Sequence, residues 1–247
     1  MQTMKKTGRI GLLFFLLAIP IQSAIQSKKM ALAQVLETGG FHGAEVKART
    51  GEQWLGLYAT KNSSALILSR LTVKREYDEI VDVGTNQKTG KAVSVNRPTK
   101  PIFLVKGATM LHAGLVTTVY KAEQGRAKAL GNGAAMDLKL GGRSYRLQVV
   151  SKDSTSSSDE GVLSADAKMI LTSDQTTQVL YSLVGKSAND PNWFLLWAGD
   201  LDGDGKLDLY MNLGYHYNMS QHKLFLSSQA RKGQLVREVA EFVTTGC

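Results

Sequence analysis

The chain has 247 residues, with 30 Lys and Arg against 21 Asp and Glu, which gives a formal net charge of +9. Hydrophobic residues make up 43% and charged residues 21%, a composition typical of globular proteins that excludes collagen, a coiled coil and extended disorder. The single cysteine, Cys247, excludes a disulfide framework and a metal cage built from several cysteines.

Residues 1–33 have the pattern of a secretory signal peptide. Three bases, Lys5, Lys6 and Arg9, precede an apolar run over 10–21, and small residues follow, with cleavage expected after residue 24 or residue 33. The run is shorter than the roughly 20 residues that cross a bilayer, although an uncleaved N-terminal anchor remains the alternative. No later segment is apolar for long enough to span. We therefore expect an exported bacterial protein, periplasmic or secreted, with no stable membrane span in its mature region, 34–247.

The basic net charge lies largely in the predicted signal. Residues 1–33 contain five of the Lys and Arg and no acid, which leaves +4 on residues 34–247. The remaining bases are scattered rather than clustered, so no nucleic-acid partner is expected.

Short segments rich in aliphatic, β-branched and aromatic residues recur along 34–247, separated by Gly, Asn, Ser and Thr. This spacing is typical of β-strands and turns. The sequence predicts an all-β, mainly antiparallel fold, either a sandwich or an irregular β domain. The predicted strands are 54–58, 65–68, 102–105, 115–120, 168–171 and 178–184.

One hairpin is predicted with its register. Residues 136–140 and 143–149 alternate apolar with polar residues around Gly141-Gly142, a two-residue turn that tolerates positive φ. This turn places Leu138 opposite Tyr145, Met136 opposite Leu147 and Asp137 opposite Arg146.

Two segments have more than one interpretation. The polar tract 151–160 is either a linker that divides the region into two domains or the tip of a long hairpin. The segment 235–243 fits one face of a short C-terminal helix and also fits a strand.

The segment 200–208 is the one motif that carries chemistry. Asp200, Asp202, Asp204 and Asp208 occupy positions 1, 3, 5 and 9 of a loop, with Gly at position 6 and Lys206 at position 7. Four carboxylates so close together repel unless a cation neutralises them, and Ca²⁺ prefers six to eight hard oxygen ligands. Lys206 offers only its backbone carbonyl, because the ion repels its ammonium. The spacing predicts a Ca²⁺ site.

The flanks of this loop distinguish it from an EF-hand. An EF-hand has a bidentate Glu at position 12, where this chain has Met211. Beyond the loop, apolar residues alternate with polar ones over 207–213, which indicates a strand. We expect the loop to join two strands, with a third strand near 223–227 completing a meander.

With Gly199 before it, the segment from Asp200 to Asp208 resembles the calcium loop of FG-GAP (integrin-like, also called VCBS) repeats, and the resemblance covers residues 193–213. In that family the loop links two strands of a propeller blade. The resemblance implies side-chain ligands at the four aspartates and a carbonyl ligand at Lys206. Only one copy of the loop is present, and a propeller uses typically 4–8 blades, so a full propeller is not expected.

No catalytic motif accompanies the loop: a Gly-x-Ser-x-Gly elbow and a His-Glu-x-x-His pair are both absent. His216 and His222 are interpreted as loop histidines rather than zinc ligands. We expect a structural calcium site without evident catalysis. The alternatives are a calcium-dependent surface that binds a glycan or protein, for which nearby aromatics would be the platform, and an exported hydrolase.

Overall fold

The computed structural model describes residues 33–60, 63–84, 86–123, 127–152 and 162–246. The chain divides into a unit over Met1–Met30 and a unit over Ala31–Cys247, and the described residues all belong to the second. The predicted signal peptide, most of the polar tract and Cys247 lie outside these residues.

Fifteen strands and no helix form the described part of the chain, which confirms the all-β fold class. No helix there is long and apolar enough to cross a membrane. The strands are β1 (Gln34–Leu36), β2 (Gly39–Phe41), β3 (Gln53–Ala59), β4 (Ser64–Glu76), β5 (Gly90–Val95), β6 (Leu104–Lys106), β7 (Gly114–Lys121), β8 (Ala135–Leu140), β9 (Arg143–Val150), β10 (Lys168–Ser173), β11 (Thr176–Ser182), β12 (Asn192–Asp200), β13 (Asp208–Gly214), β14 (Met219–Leu226) and β15 (Arg237–Thr245).

The strands form two antiparallel sheets. Eleven belong to one sheet, whose main path runs β1-β6-β3-β4-β7-β12-β13-β14-β15, with β5 paired to β4 and β2 paired to β5. The two ends of this path, β1 and β15, come into contact, so the sheet curls back on itself. The other sheet has the order β11-β10-β9-β8. The four-stranded sheet occurs once and is not a blade repeated around an axis, and no propeller appears among the described residues.

The predicted hairpin is confirmed in its register. Leu138 pairs with Tyr145 and Asp137 with Arg146 across the turn, and the guanidinium Nη1 of Arg146 lies 2.8 Å from the Asp137 carboxylate. The next strand, β10, pairs antiparallel with β9, with Lys168 opposite Val150. The strands on either side of the polar tract are therefore neighbours in one sheet, while residues 153–161 lie outside the described part.

Strands β12, β13 and β14 separate two hydrophobic cores. One face contributes Leu209, Met211 and Phe225 to a core shared with the four-stranded sheet. The opposite face contributes Tyr210 and Leu224 to a core enclosed by the curled sheet. Every residue of β13 is buried. The acidic loop before β13 is thus attached to the most deeply buried strand of the fold.

Trp193 and Trp197 do not share a strand face, contrary to the simple alternation of β12. A β-bulge lies between Leu195 and Trp197, so Leu195 pairs with Met211 and Trp197 with Tyr210. The extra residue moves Trp197 into the core enclosed by the curled sheet, whereas Trp193 lies in the other core.

The helical interpretation of 235–243 is wrong, because residues 237–243 of this segment belong to β15. A bulge lies between Leu224 and Phe225 in the pairing of β14 with β15, where Leu224 is opposite Ala240 and Phe225 opposite Glu238. Val239 is the inserted residue. Two consecutive buried residues, Val239 and Ala240, interrupt the two-residue period and imitate helical spacing.

Candidate metal centre

The acidic loop closes the connection between β12 and β13, as predicted. Asp200 is the last residue of β12 and Asp208 the first of β13. Gly199 pairs with Asp208 at the neck of the loop. The two ends of the motif are therefore held by paired strands, and the residues between them turn back over a distance of one strand spacing.

Three of the four aspartates converge. Asp200, Asp202 and Asp208 each present one carboxylate oxygen, and these atoms all lie within 4.8 Å of one another. Asp208 is fully buried, whereas Asp200 and Asp202 are half-buried.

The other two predicted ligands lie differently. Both carboxylate oxygens of Asp204 accept a hydrogen bond from Ser227 Oγ at 3.0 Å, which draws this side chain toward Ser227. The ammonium of Lys206 lies 3.8 Å from Asp204 Oδ2, and the side chain is otherwise exposed. The structure therefore brings together three predicted ligands and keeps Asp204 and Lys206 beside them.

Backbone amides of the loop point at the first carboxylate. Asp200 Oδ1 accepts from the N–H of Gly203 at 2.7 Å, and Asp200 Oδ2 accepts from the N–H of Gly205 at 2.9 Å. Gly205 has a φ of +76°, a left-handed conformation that a side chain disfavours. The glycine at position 6 thus makes the turn that wraps the loop around Asp200.

Two serines that follow β14 complete the site, and sequence reasoning missed them. The N–H of Ser227 donates to Asp208 Oδ1 at 2.7 Å, and Ser227 Oγ lies 2.9 Å from the same oxygen, so the one hydroxyl proton is shared between Asp208 and Asp204. Ser228 Oγ donates to Asp202. Antiparallel pairing of β13 with β14, in which Leu209 faces Phe225, places the end of β14 beside the start of β13. The predicted meander could have indicated these serines, because it brings the residues that follow its third strand to the loop.

Burial and mutual repulsion act on the converging carboxylates. Burial raises the pKa of Asp208 to about 8, and the charge of Asp202 adds to this rise against the hydrogen bonds from Ser227 and Leu201. Burial likewise raises the pKa of Asp202, with the charges of Asp204 and Asp200 contributing. Negative charge is therefore unfavourable here without a compensating cation.

The chemistry of the donors fits a hard divalent cation. The converging side-chain ligands are carboxylate oxygens, which suit Ca²⁺ and Mg²⁺ better than the softer metals that prefer sulfur or imidazole. No Cys or His belongs to the cluster. Further ligands for Ca²⁺ would come from backbone carbonyls, water and a reoriented Asp204.

The turn of the β8–β9 hairpin lies against the acidic loop. A Cβ atom placed on Gly141 would lie 2.7 Å from the carbonyl oxygen of Gly205. This contact joins the four-stranded sheet to the loop at position 6 of the motif, next to Lys206, whose carbonyl is a predicted ligand.

The aromatic residues predicted near the loop divide between core and surface. Trp193, Trp197 and Tyr210 are fully buried, so they offer no platform for stacking a sugar, whereas Phe194 and Tyr215 are half-buried and Tyr217 is exposed. The prediction that His222 lies in a loop is wrong. It lies in β14, where it stacks on Tyr210 and its Nε2 lies 3.5 Å from Glu37 Oε1.

Comparison of the chain with protein-family models, with curated proteins and with solved structures gives no match.

Proposed function

We propose that residues 200–208 bind one Ca²⁺ ion whose role is structural, in an exported β-protein without a catalytic site of its own. The observation that carries this proposal is the convergence of Asp200, Asp202 and Asp208 within 4.8 Å at the neck between β12 and β13. The resemblance of the motif to FG-GAP (VCBS) loops and the pattern of the first 33 residues also support it.

The ion would act by neutralising a buried charge. Asp208 lies in a fully buried strand between two cores, where an unpaired carboxylate is unfavourable. A cation held by Asp200, Asp202 and Asp208, with Asp204 and the Lys206 carbonyl as further ligands, would link β12 to β13. Ser227 and Ser228 would orient these carboxylates from the end of β14.

The expected gain in stability is modest. Extracellular Ca²⁺ modules bind with dissociation constants of roughly 10⁻⁴–10⁻³ M. At ten times such a constant, bound ligand stabilises the folded state by about 1.4 kcal/mol. Millimolar Ca²⁺, as found outside the cell, would therefore be required.

Thermal unfolding of the purified protein tests the proposal. The melting temperature should rise in millimolar Ca²⁺ relative to chelator, and Asp200→Ala should remove the difference. Asp137→Ala is the matched control, because it deletes an exposed carboxylate of the β8–β9 hairpin and should leave the Ca²⁺ response intact. Identical melting of the unsubstituted protein in Ca²⁺ and chelator would refute the site.

The alternative of a calcium-dependent glycan- or protein-binding surface has less support, because the aromatic side chains nearest the loop on β12 and β13 are buried. The alternative of an exported hydrolase has less support, because the His–carboxylate pairs in the described part of the chain, His42–Asp78 and His222–Glu37, are not accompanied by a Gly-x-Ser-x-Gly elbow in the sequence.

A further inference from the structure

The connection between β4 and β5 carries a cluster of exposed apolar side chains that the calcium site does not explain. Among the described residues eleven large hydrophobic side chains are exposed, and four of them, Tyr77, Ile80, Val81 and Val83, fall within seven consecutive positions. Val83 is 94% exposed and Ile80 60%. We refer to residues 77–83 as the apolar tip. Exposed apolar residues concentrated in this way mark an interaction site, whereas isolated ones do not.

The apolar tip is built to display these side chains. Asp78 Oδ1 accepts from the N–H groups of Ile80 and Val81 at 3.1 and 3.2 Å, and the N–H of Asp82 donates to the carbonyl of Asp78 at 2.9 Å. The hydroxyl of Tyr77 donates to the carbonyl of Asp82 at 3.0 Å. The polar groups of the turn thus form hydrogen bonds with one another, while the apolar side chains are exposed on its outer surface.

The two acids within this turn are buried and bonded. Asp82 Oδ2 accepts from the N–H of Asp78 at 2.9 Å and from the N–H of Thr89 at 3.0 Å. Asp78 Oδ2 lies 2.6 Å from Nδ1 of His42. Only Glu79 presents an exposed carboxylate within 77–83. The tip is thus less negative toward a partner than its sequence implies.

Three bases and one half-buried acid, Glu76, lie at the base of the apolar tip. Lys74 and Arg75 lie at the end of β4, and Lys88 lies two residues before β5, which pairs with it. All three side chains are exposed and form no hydrogen bond or ion pair within the part of the chain that the structure describes. We call Lys74, Arg75 and Lys88 the basic collar.

We propose that the apolar tip and its basic collar dock this protein on an anionic lipid bilayer. Apolar side chains at the end of a hairpin would enter the boundary between headgroups and acyl chains, and the collar would lie at the level of the phosphates. Membrane attachment by weak apolar insertion becomes effective when a basic patch adds a second signal. The apolar tip and the basic collar thus follow the same order as the acyl chains and the phosphates of a membrane surface. The proposal does not depend on the calcium site.

Vesicle flotation of the full chain tests this proposal. The protein should float with vesicles of phosphatidylglycerol and phosphatidylcholine in equal parts and bind vesicles of phosphatidylcholine alone more weakly. Chelator is included so that Ca²⁺ cannot bridge protein and lipid. Because the predicted leader also contains an apolar run, the decisive comparison is between variants of the same chain.

Val83→Asp should reduce partitioning onto the mixed vesicles by at least about tenfold, since the apolar side chain that would insert into the bilayer is replaced by a charged one. Lys74→Gln should reduce it about fivefold on mixed vesicles and leave binding to phosphatidylcholine unchanged. Leu115→Asp is the matched control: Leu115 is 85% exposed on β7, away from the tip in sequence, and its substitution should not alter partitioning.

Equal partitioning of Val83→Asp and the unsubstituted protein would overturn the proposal. Absence of binding to either vesicle would also overturn it. Unfolding curves of each variant confirm that the fold is retained, which surface positions allow.

Discussion

The apolar tip and the acidic loop at 200–208 both place aspartates inside a turn, but with opposite electrostatic consequences. In the tip, the hydrogen bond from His42 lowers the pKa of Asp78 despite its burial. Burial alone would raise the pKa of Asp82, but hydrogen bonds from Thr89 and from the Asp78 N–H lower it overall. In the acidic loop, burial and neighbouring carboxylates raise the pKa of Asp202 and Asp208.

This difference follows from what surrounds each carboxylate. A histidine and amide or hydroxyl donors surround the acids of the tip, so these acids remain charged without an ion. The acidic loop supplies donors as well, but it also brings three acids together. Hydrogen bonds alone therefore do not stabilise that concentration of charge, and a cation would complete it. On this proposal, a buried aspartate calls for a metal when its neighbours are also acids.

The largest effect is expected from Asp208→Ala measured in Ca²⁺. This change leaves the N–H groups of Leu201 and Ser227 without their buried acceptor, whereas the hydroxyl of Ser227 keeps Asp204 as a partner. We expect the free energy of unfolding to fall by about 2 kcal/mol, at about 1 kcal/mol for each lost partner. Chemical denaturation measures this value. Asp137→Ala should cost about 0.5 kcal/mol or less, because its ion pair is exposed. Equal costs for the two variants would contradict the assigned role of Asp208.

The second prediction concerns pH in the presence of chelator. The folded chain holds a proton on Asp208 up to about pH 8, whereas the unfolded chain releases it near the ordinary value of 3.8. Stability without Ca²⁺ should therefore decline as pH rises through this range. Saturating Ca²⁺ should flatten the decline, because the ion stabilises the charged form. Melting temperatures measured across this range in both conditions test the point, and parallel curves would argue against an ion at Asp208.

A third prediction uses the contact between the hairpin turn and the loop. Gly141 and Gly142 have φ of +58° and +78°, so alanine at either position costs about 1 kcal/mol in backbone strain. A Cβ at Gly141 also lies 2.7 Å from the Gly205 carbonyl, while one at Gly142 contacts nothing within 4 Å. Gly141→Ala should thus destabilise more than Gly142→Ala, and it alone should weaken Ca²⁺ binding. Titration of both variants checks this, with equal affinities as the contrary result.

The smallest effect is expected from His42→Ala, which removes the partner of Asp78 in the apolar tip. The hydrogen bond and charge of Asp78 raise the pKa of His42, so stability from this pair is present below 6.5 and is lost as pH rises through the raised value. The lowered pKa of Asp78 keeps the pair charged above 3.8, and stability is lost as pH falls through that lowered value. The difference in melting temperature between the two proteins should therefore be largest between pH 3.8 and 6.5. A difference that does not vary with pH would show that the pair contributes no charge interaction.

The sequence predicted correctly those strands in which apolar and polar residues alternate without interruption. The β8–β9 hairpin has its predicted register because a two-residue turn and strict alternation leave one arrangement. Strands β12 and β15 depart from prediction at their bulges, where one inserted residue moves Trp197 to the other core and gives the spacing of a helix around Val239. Partner strands determine a bulge, and the sequence of one strand does not contain that information.

The candidate site also divides into a part that local sequence predicts and a part that depends on distant segments. The aspartates of 200–208 lie within one loop, so their spacing predicted the convergence of Asp200, Asp202 and Asp208. Ser227 and Ser228 reach the loop only because β14 returns beside β13, and Gly141 reaches it only because the four-stranded sheet covers that core. Contacts between distant segments depend on the tertiary fold, which local patterns do not determine.

Isothermal titration of Ca²⁺ into the chelator-treated protein measures directly whether residues 200–208 bind the ion. We expect one ion per chain with a dissociation constant of roughly 10⁻⁴–10⁻³ M. We also expect weaker binding of Mg²⁺, loss of the binding heat in Asp200→Ala, and its retention in Asp137→Ala. No saturable heat in the unsubstituted protein, or the same heat after Asp200→Ala, would contradict a calcium ion at residues 200–208.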